Sequence, residues 1–384
     1  MTRASPPLDA AALVRDLNTK VVVTCGSGGV GKTTTAAAIA LIGAEAGRRT
    51  VVLTIDPARR LAQSMGLTEL DNTPRVVKSA SIDPASGGQL FAMMLDMKRT
   101  FDDVVLEHST PERAEQIFAN PFYQSLSSSF AGTQEYMAME KLGQLVATDE
   151  WDLIVVDTPP SRSALDFLDA PNRLGRFLDG RMIRLLTAPA KAGGKAYMKV
   201  VTVSVGMVAR VFTKVIGGDL LNDLSTFVTA LESMFGGFRE RAQQTYELLK
   251  TPGTAFLVVA APEPDALREA SYFVERLSAE RMPLAGIVVN RTRRAVPVEG
   301  SQPLSAARAE LAADALRGDD PASALARAAL LVHHEIASAA EHDARMTKRF
   351  SSAHPQVPLV TVPALPADVH DIEGLRTIGG LLGA

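Results

Sequence analysis

The sequence is poor in cysteine and in aromatic residues. Of its 384 residues, only Cys25 is a cysteine and 5% are aromatic. A trivalent arsenic site, an Fe–S cluster or a zinc ion shared between two chains needs several thiolates, which one cysteine cannot supply. Cys25 ends an apolar segment, so a small buried side chain is expected there. His333 and His334 do not replace the missing thiolates, because adjacent residues point about 100° apart on a helix. Both are expected at the surface.

The sequence also lacks an excess of positive charge and an apolar run that could span a bilayer. A net charge of −3 and a pI near 6.1 give no overall basic character, so no nucleic-acid partner is expected. The longest charge-free run of its most apolar segment covers residues 200–209, well short of the about 20 residues that a spanning helix needs. Residues 1–19 contain no apolar signal core and are expected to be flexible. These features predict a cytoplasmic protein.

Glycine, by contrast, is concentrated directly after the apolar run Val21–Val23, in the sequence GSGGVGKT at 26–33. A buried strand followed by such a loop and a helix is typical of a phosphate-binding P-loop, whose backbone N–H groups surround anionic oxygens. Lys32 adds a positive charge at the β- and γ-phosphates, and the Thr33 hydroxyl is placed to bind Mg²⁺. Glycine-rich turns also occur without a ligand, but the intact GKT favours ATP or GTP. The predicted nucleotide-binding residues are Gly26, Ser27, Gly28, Gly29, Val30, Gly31, Lys32, Thr33 and Thr34.

Two acidic residues follow later apolar strands. Asp56 comes after Thr50–Ile55, where it could orient an attacking water as a catalytic residue, together with Lys32 as charge stabiliser. Asp56 is equally suited to cap a following helix, since Pro57 fits the first helical position. Asp157 ends the strand that begins at Trp151, which is the Walker B pattern of a Mg²⁺ ligand. The predicted metal ligands are therefore Thr33 and Asp157.

Two further strands are predicted at 255–260 and 285–290, and the second ends in Asn290. An asparagine side chain has a donor and an acceptor that match the N6/N7 edge of adenine. The same residue type is also common in turns and at helix ends. From the residues alone, both interpretations of Asn290 remain open.

Taken together, the motifs resemble the ArsA family, in the P-loop class that also contains MinD and ParA. The resemblance runs from Val21 to the C-terminus through GSGGVGKTTTAAA, TIDPARRLAQ, VVDTPP, PEPDALREA and VVNRT. This family includes arsenite-pump ATPases and ATPases that deliver tail-anchored membrane proteins. The motif sequences are most similar to those of an actinobacterial subgroup whose genes occur in pairs. The resemblance implies Mg²⁺-dependent ATP hydrolysis, a switch role for Asp56 and adenine recognition by Asn290.

One position departs from the family pattern. In this class the second residue of the P-loop motif is a lysine that reaches the nucleotide of the other subunit, and here it is Ser27. A hydroxyl cannot supply a full charge to a developing phosphate anion. The resemblance therefore implies a homodimer or a heterodimer, the latter with an ArsA-like paralogue that keeps the lysine.

The expected fold is α/β, a doubly wound, mainly parallel sheet of about seven or eight strands over residues 20–384. A helical subdomain is expected from the insertions at 97–147 and 162–250, and a loop at 293–304.

Within the second insertion, the apolar segment 197–216 fits a bundle core or a groove for an apolar helix or membrane-protein client. The expected function is an ATPase whose nucleotide state switches this helical subdomain. The alternatives are a scaffold subunit that clamps ATP, or a MinD/ParA-like spatial switch. The segment 371–384 has only Arg376 as a cation, which argues against a basic membrane-binding helix.

Overall fold

The computed structural model describes most of the chain. The described residues are 5–55, 60–67, 70–121, 123–124, 133–159, 240–294, 304–318 and 320–383. They belong to two compact units, the first with the bounds Met1–Met94, Glu150–Leu165 and Leu249–Ala384, the second with the bounds Leu95–Asp149 and Asp166–Leu248. The candidate client segment 197–216 lies outside the described residues, as does most of the expected loop at 293–304.

The first unit contains an eight-stranded sheet in the order β3-β4-β2-β5-β1-β6-β7-β8. Its strands are β1 (Val21–Cys25), β2 (Arg49–Thr54), β3 (Arg75–Val76), β4 (Gln89–Met94), β5 (Leu153–Asp157), β6 (Thr254–Ala260), β7 (Leu284–Thr292) and β8 (Leu359–Pro363). Every pair of neighbours is parallel except β3 and β4. The eight-stranded, mainly parallel sheet with flanking helices confirms the predicted α/β class.

The central strands consist of β-branched and other apolar residues because both faces of the sheet are covered. β1, β5 and β6 are buried along their whole length. β1 lies between β5 and β6, with Thr24 opposite Asp157 in the register. This register brings the carboxyl ends of β1 and β5 to the same edge of the sheet, where doubly wound proteins bind their ligands.

The helices of the first unit connect these strands. The described α-helices are α1 (Ala10–Arg15), α2 (Lys32–Glu45), α3 (Arg60–Ser64), α7 (Pro264–Ala279), α8 (Ala306–Ala315), α9 (Pro321–Ala353) and α10 (Ile372–Leu382). The numbers between α3 and α7 belong to helices of the second unit, which are α4 (Met97–His108), α5 (Pro111–Ala119) and α6 (Thr133–Ala147). α2 packs against both the sheet and α10. Its alanines, which include Ala36 and Ala40, are completely buried and allow this close approach on several sides. The loop that precedes α2 is therefore held on a rigid support.

Arg48 joins the start of β2 to the N-terminal segment. Its side chain is 2% exposed and donates to the carbonyls of Val14 at 2.7 Å and Thr19 at 2.6 Å, and also to those of Asp16 and Asp152. Burial lowers the pKa of the guanidinium, and nearby Asp152 and Asp16 oppose that shift. Arg48 thus satisfies several backbone acceptors with one planar group.

Arg48→Met is expected to lower the free energy of unfolding by about 3 kcal/mol, because buried carbonyls would lose their donor. Arg48→Lys should recover part of this loss, since an ammonium retains some of the donors. Urea denaturation followed by circular dichroism measures both effects. Arg268→Met is the matched control, because this arginine is exposed, and it should change stability by less than about 0.5 kcal/mol. A variant Arg48→Met as stable as this control would contradict the structural role.

The described residues of the second unit are mostly helical. Its described helices are α4 (Met97–His108), α5 (Pro111–Ala119) and α6 (Thr133–Ala147), and residues 240–248 are also helical. Glu140 is buried and accepts a hydrogen bond from Arg241 Nε at 2.8 Å. Burial raises the pKa of Glu140, while Arg241 opposes the shift. Within the part of the chain that the structure describes, none of the helices could span a bilayer.

Candidate functional site

The loop between β1 and α2 is shaped by two glycines. Gly26 has φ 149° and lies so close to the Val259 carbonyl of β6 that a Cβ atom would collide with it. Gly31 has φ 92° at the N-terminal end of α2, and a Cβ atom there would collide with the Asn290 side chain. Only glycine combines this backbone conformation with such contacts. The sheet therefore packs directly against the loop.

The side chain of Lys32 folds back onto the loop that precedes it. Its side chain is 5% exposed, and Nζ donates to the Ser27 carbonyl at 2.8 Å. A buried ammonium needs acceptors, and anionic phosphate oxygens are stronger acceptors than a carbonyl. The lysine is therefore placed where an anion in the loop would be stabilised.

Thr33, Thr54 and Asp157 meet at the carboxyl edge of the sheet. The Thr33 and Thr54 hydroxyls both donate to Asp157 Oδ2, at 2.7 Å and 2.9 Å. Asp157 is fully buried at the end of β5, and its register neighbours are Thr24 and Thr54. Hydroxyl and carboxylate oxygens are the ligands that Mg²⁺ prefers. The structure thus brings the predicted pair Thr33 and Asp157 together. Thr54 belongs to the same hydrogen-bonded group, and sequence reasoning missed it.

The carboxyl end of β7 contacts the other side of the loop. Asn290 is buried and its Nδ2 donates to the Val30 carbonyl at 2.9 Å, while Arg291 Nη1 donates to the Gly29 carbonyl at 3.0 Å. Beside these contacts lies a cavity of about 580 Å³. Its lining includes Ser27, Gly28, Gly29, Val30, Pro262, Glu263, Arg291 and Arg293. Sequence reasoning selected Asn290 but missed Arg291, although both belong to β7.

Other predicted residues have simpler outcomes. Asp56 lies outside the described residues, which resume at position 60. Cys25 is buried, which confirms the expected small buried side chain. Burial raises the pKa of its thiol to about 12, with a smaller opposing effect of Lys32. His333 and His334 lie partly exposed on α9, and their rings hydrogen-bond the carbonyls of Leu304 and Ala306. They secure the start of α8 against α9. No cluster of three or more metal-binding side chains occurs among the described residues.

Comparison with known proteins shows the family of this chain. The model of the anion-transporting ATPase family, of the ArsA type, matches residues 19–313, which is more than half of the chain. The chain belongs to this ATPase family. The matched range contains the predicted phosphate loop at 26–33, as well as Asp157 and Asn290.

Individual relatives of this ArsA-type ATPase extend over most of the chain. ATPase ARSA2 of Chlamydomonas reinhardtii is 29% identical over 288 residues, 73% of this chain and 70% of the relative. ATPase GET3B of Arabidopsis thaliana is 26% identical, over 69% of this chain and 62% of the relative. An ATPase ASNA1 homolog of Babesia bovis is 24% identical, over 76% and 72%. Several other relatives match over less than half of their own length. The three relatives named here share the name ATPase.

Proposed function

We propose that this ArsA-type ATPase is a dimeric switch that binds Mg-ATP and hydrolyses it slowly. The observation that carries the proposal is the junction of the phosphate loop and β5, where Thr33 donates to Asp157 at 2.7 Å. Lys32 and the loop amides would bind the phosphates, and Thr33 and Asp157 would hold Mg²⁺. The metal supplies charge neutralisation at the phosphates when it is bound. Phosphate binding and metal binding are roles of the protein's own backbone and side-chain groups.

Asn290 is proposed to recognise adenine, and Asp56 to position the attacking water. The bond from Asn290 to Val30 occupies one N–H of its amide, and the second N–H and the carbonyl oxygen still suit a base edge. Asp56 directly follows Ile55, which is the last described residue after β2. β2 pairs with β5 up to Thr54 and Asp157, so the chain leaves the sheet beside the proposed metal ligand.

Ser27 supports a heteromeric assembly. Its Oγ is buried and makes no hydrogen bond within the part of the chain that the structure describes. A short buried hydroxyl does not extend to a second subunit and carries no charge. We therefore propose a paralogue with the motif lysine as the preferred partner, with a homodimer as the less active form.

Nucleotide state is proposed to act on the helical insertions, including 97–147 and 162–250, and through them on an apolar helix or membrane-protein client at 197–216. A MinD/ParA-like membrane switch is less favoured, because Leu375, Ile378 and Leu382 of α10 belong to the buried core. That packing buries the apolar face of the helix inside the protein, away from a membrane. We propose a cytoplasmic location as part of the same function.

Asp56→Asn tests catalysis against the scaffold alternative. Asparagine caps helices as well as aspartate does, so the fold and ATP binding should be retained. Without the carboxylate, hydrolysis should fall by about a hundredfold. Phosphate release at saturating Mg-ATP and the binding of a fluorescent ATP analogue measure the two properties.

Asp83→Asn is the matched control, because Asp83 is an exposed acid that caps a short 3-10 turn. Its turnover should equal that of the wild type. Equal turnover of Asp56→Asn and the wild type would leave Asp56 as a helix cap and would favour the scaffold function.

A further inference from the structure

The end of β7 donates hydrogen bonds to two consecutive carbonyls of the phosphate loop. Asn290 bonds Val30 and Arg291 bonds Gly29, at 2.9 Å and 3.0 Å. A trans peptide unit is planar, and its C=O and N–H groups point in opposite directions. The carbonyl of Gly29 therefore determines where the N–H of Val30 points, and the carbonyl of Val30 does the same for Gly31. These two side chains orient two of the amides that the loop offers to phosphate.

The backbone of Arg291 is held in an unfavourable conformation. Its φ is 58°, in the left-handed region that residues other than glycine seldom occupy. Such conformations persist when the surrounding contacts impose them, and they are frequent at functional sites. Here the conformation accompanies the contact between the guanidinium and the loop.

The chain is anchored on both sides of Arg291. Asn290 is buried against the loop, and Arg293 is joined to Asp343 of α9. Arg293 donates to Asp343 Oδ2 from its backbone N at 2.8 Å and from Nε at 2.9 Å, and Asp343 is 1% exposed. Arg293 is thus committed to a buried carboxylate, whereas the guanidinium of Arg291 reaches the loop.

We propose that Arg291 is a positioning residue of the phosphate site, which holds the Gly29 carbonyl and thereby aims the Val30 N–H at the bound phosphates. The proposal rests on the proposed ATP-binding function. Because P-loop amides surround the α- and β-phosphates, the contribution of Arg291 should be the same for ADP and ATP. A direct contact with the γ-phosphate would affect ATP alone.

Arg291→Ala is expected to weaken both Mg-ADP and Mg-ATP about tenfold, which is the usual scale of one charge-assisted hydrogen bond. Alanine keeps a non-glycine residue at the strained position, so the melting temperature without nucleotide should not change. Arg291→Lys should restore most of the affinity, since an ammonium can donate to the same carbonyl. Isothermal titration calorimetry of the full chain gives the affinities, and differential scanning fluorimetry gives the melting temperatures.

Arg281→Ala is the matched control. Arg281 is also an exposed arginine in the left-handed region, with φ 56°, and it lies at the turn between α7 and β7. Its replacement should leave both affinities unchanged. Repeating the titrations at about 0.5 M KCl separates a hydrogen bond from long-range attraction, because the Debye length then falls to about 4 Å. The tenfold difference in affinity between the wild type and Arg291→Ala should persist at this salt concentration.

Three results would overturn the positioning role. They are a loss confined to ATP, a ratio that disappears at high salt, and an unchanged affinity in Arg291→Ala when the wild type binds both nucleotides. Failure of the wild type to bind either nucleotide would instead refute the proposed function, and the two failures are therefore distinguishable.

Discussion

Lys32→Ala is expected to abolish measurable binding of Mg-ATP and of Mg-ADP. Lys32 is the only side-chain cation within the loop sequence, and its buried Nζ already lies 2.8 Å from the Ser27 carbonyl. Removing one partner of a buried charged contact costs about 3 kcal/mol, which is a factor of more than a hundred in affinity. Calorimetric titration and the thermal shift produced by Mg-ATP measure the loss.

Lys98→Ala is the control for a loss of positive charge far from the loop in sequence. Lys98 is exposed and pairs with Asp102 on α4, so its replacement should change neither the affinity nor the thermal shift. If Lys32→Ala bound ATP with nearly the affinity of the wild type, the phosphate site would be assigned to the wrong loop.

Ser27→Lys is expected to raise the ATPase rate of the isolated chain by two to three orders of magnitude. A charge that contacts the transition state contributes about 3 kcal/mol, and a homodimer of the wild type has no such lysine in either site. Adding a paralogue with the motif lysine should accelerate the wild type as well, because the partner's lysine would complete this chain's site. Steady-state phosphate release, with and without the paralogue, measures both effects.

Ser27→Ala is the matched control for this substitution. The Ser27 hydroxyl has no hydrogen-bond partner among the described residues, and Lys32 contacts the backbone carbonyl, which alanine retains. Its rate should therefore equal that of the wild type. An isolated wild type as fast as the mixed complex, with no gain in Ser27→Lys, would refute the asymmetric dimer.

The central part of the fold could be predicted from the sequence because its signals are local. β1, β5 and β6 are short apolar runs, and glycine follows β1, an acid ends β5 and a proline lies two residues beyond β6. The N-terminal end of α10 follows Asp371, which caps it by accepting a hydrogen bond from the Gly374 N–H. The edge at β3 and β4 was not predicted. β3 has two residues, and its antiparallel pairing with β4 depends on the neighbouring chain rather than on its own composition.

The sequence alone determined the motifs of the candidate site, because the spacing of Lys32, Thr33 and Asp157 is readable along the chain. Only the tertiary structure decided which side chains support them. Thr54 reaches Asp157 because β2 and β5 are parallel neighbours, and Arg291 reaches Gly29 across 262 positions of sequence because the strand order brings the end of β7 to the loop. Contacts of this kind depend on strand order and register, and both arise from the burial of the whole sheet rather than from any local pattern.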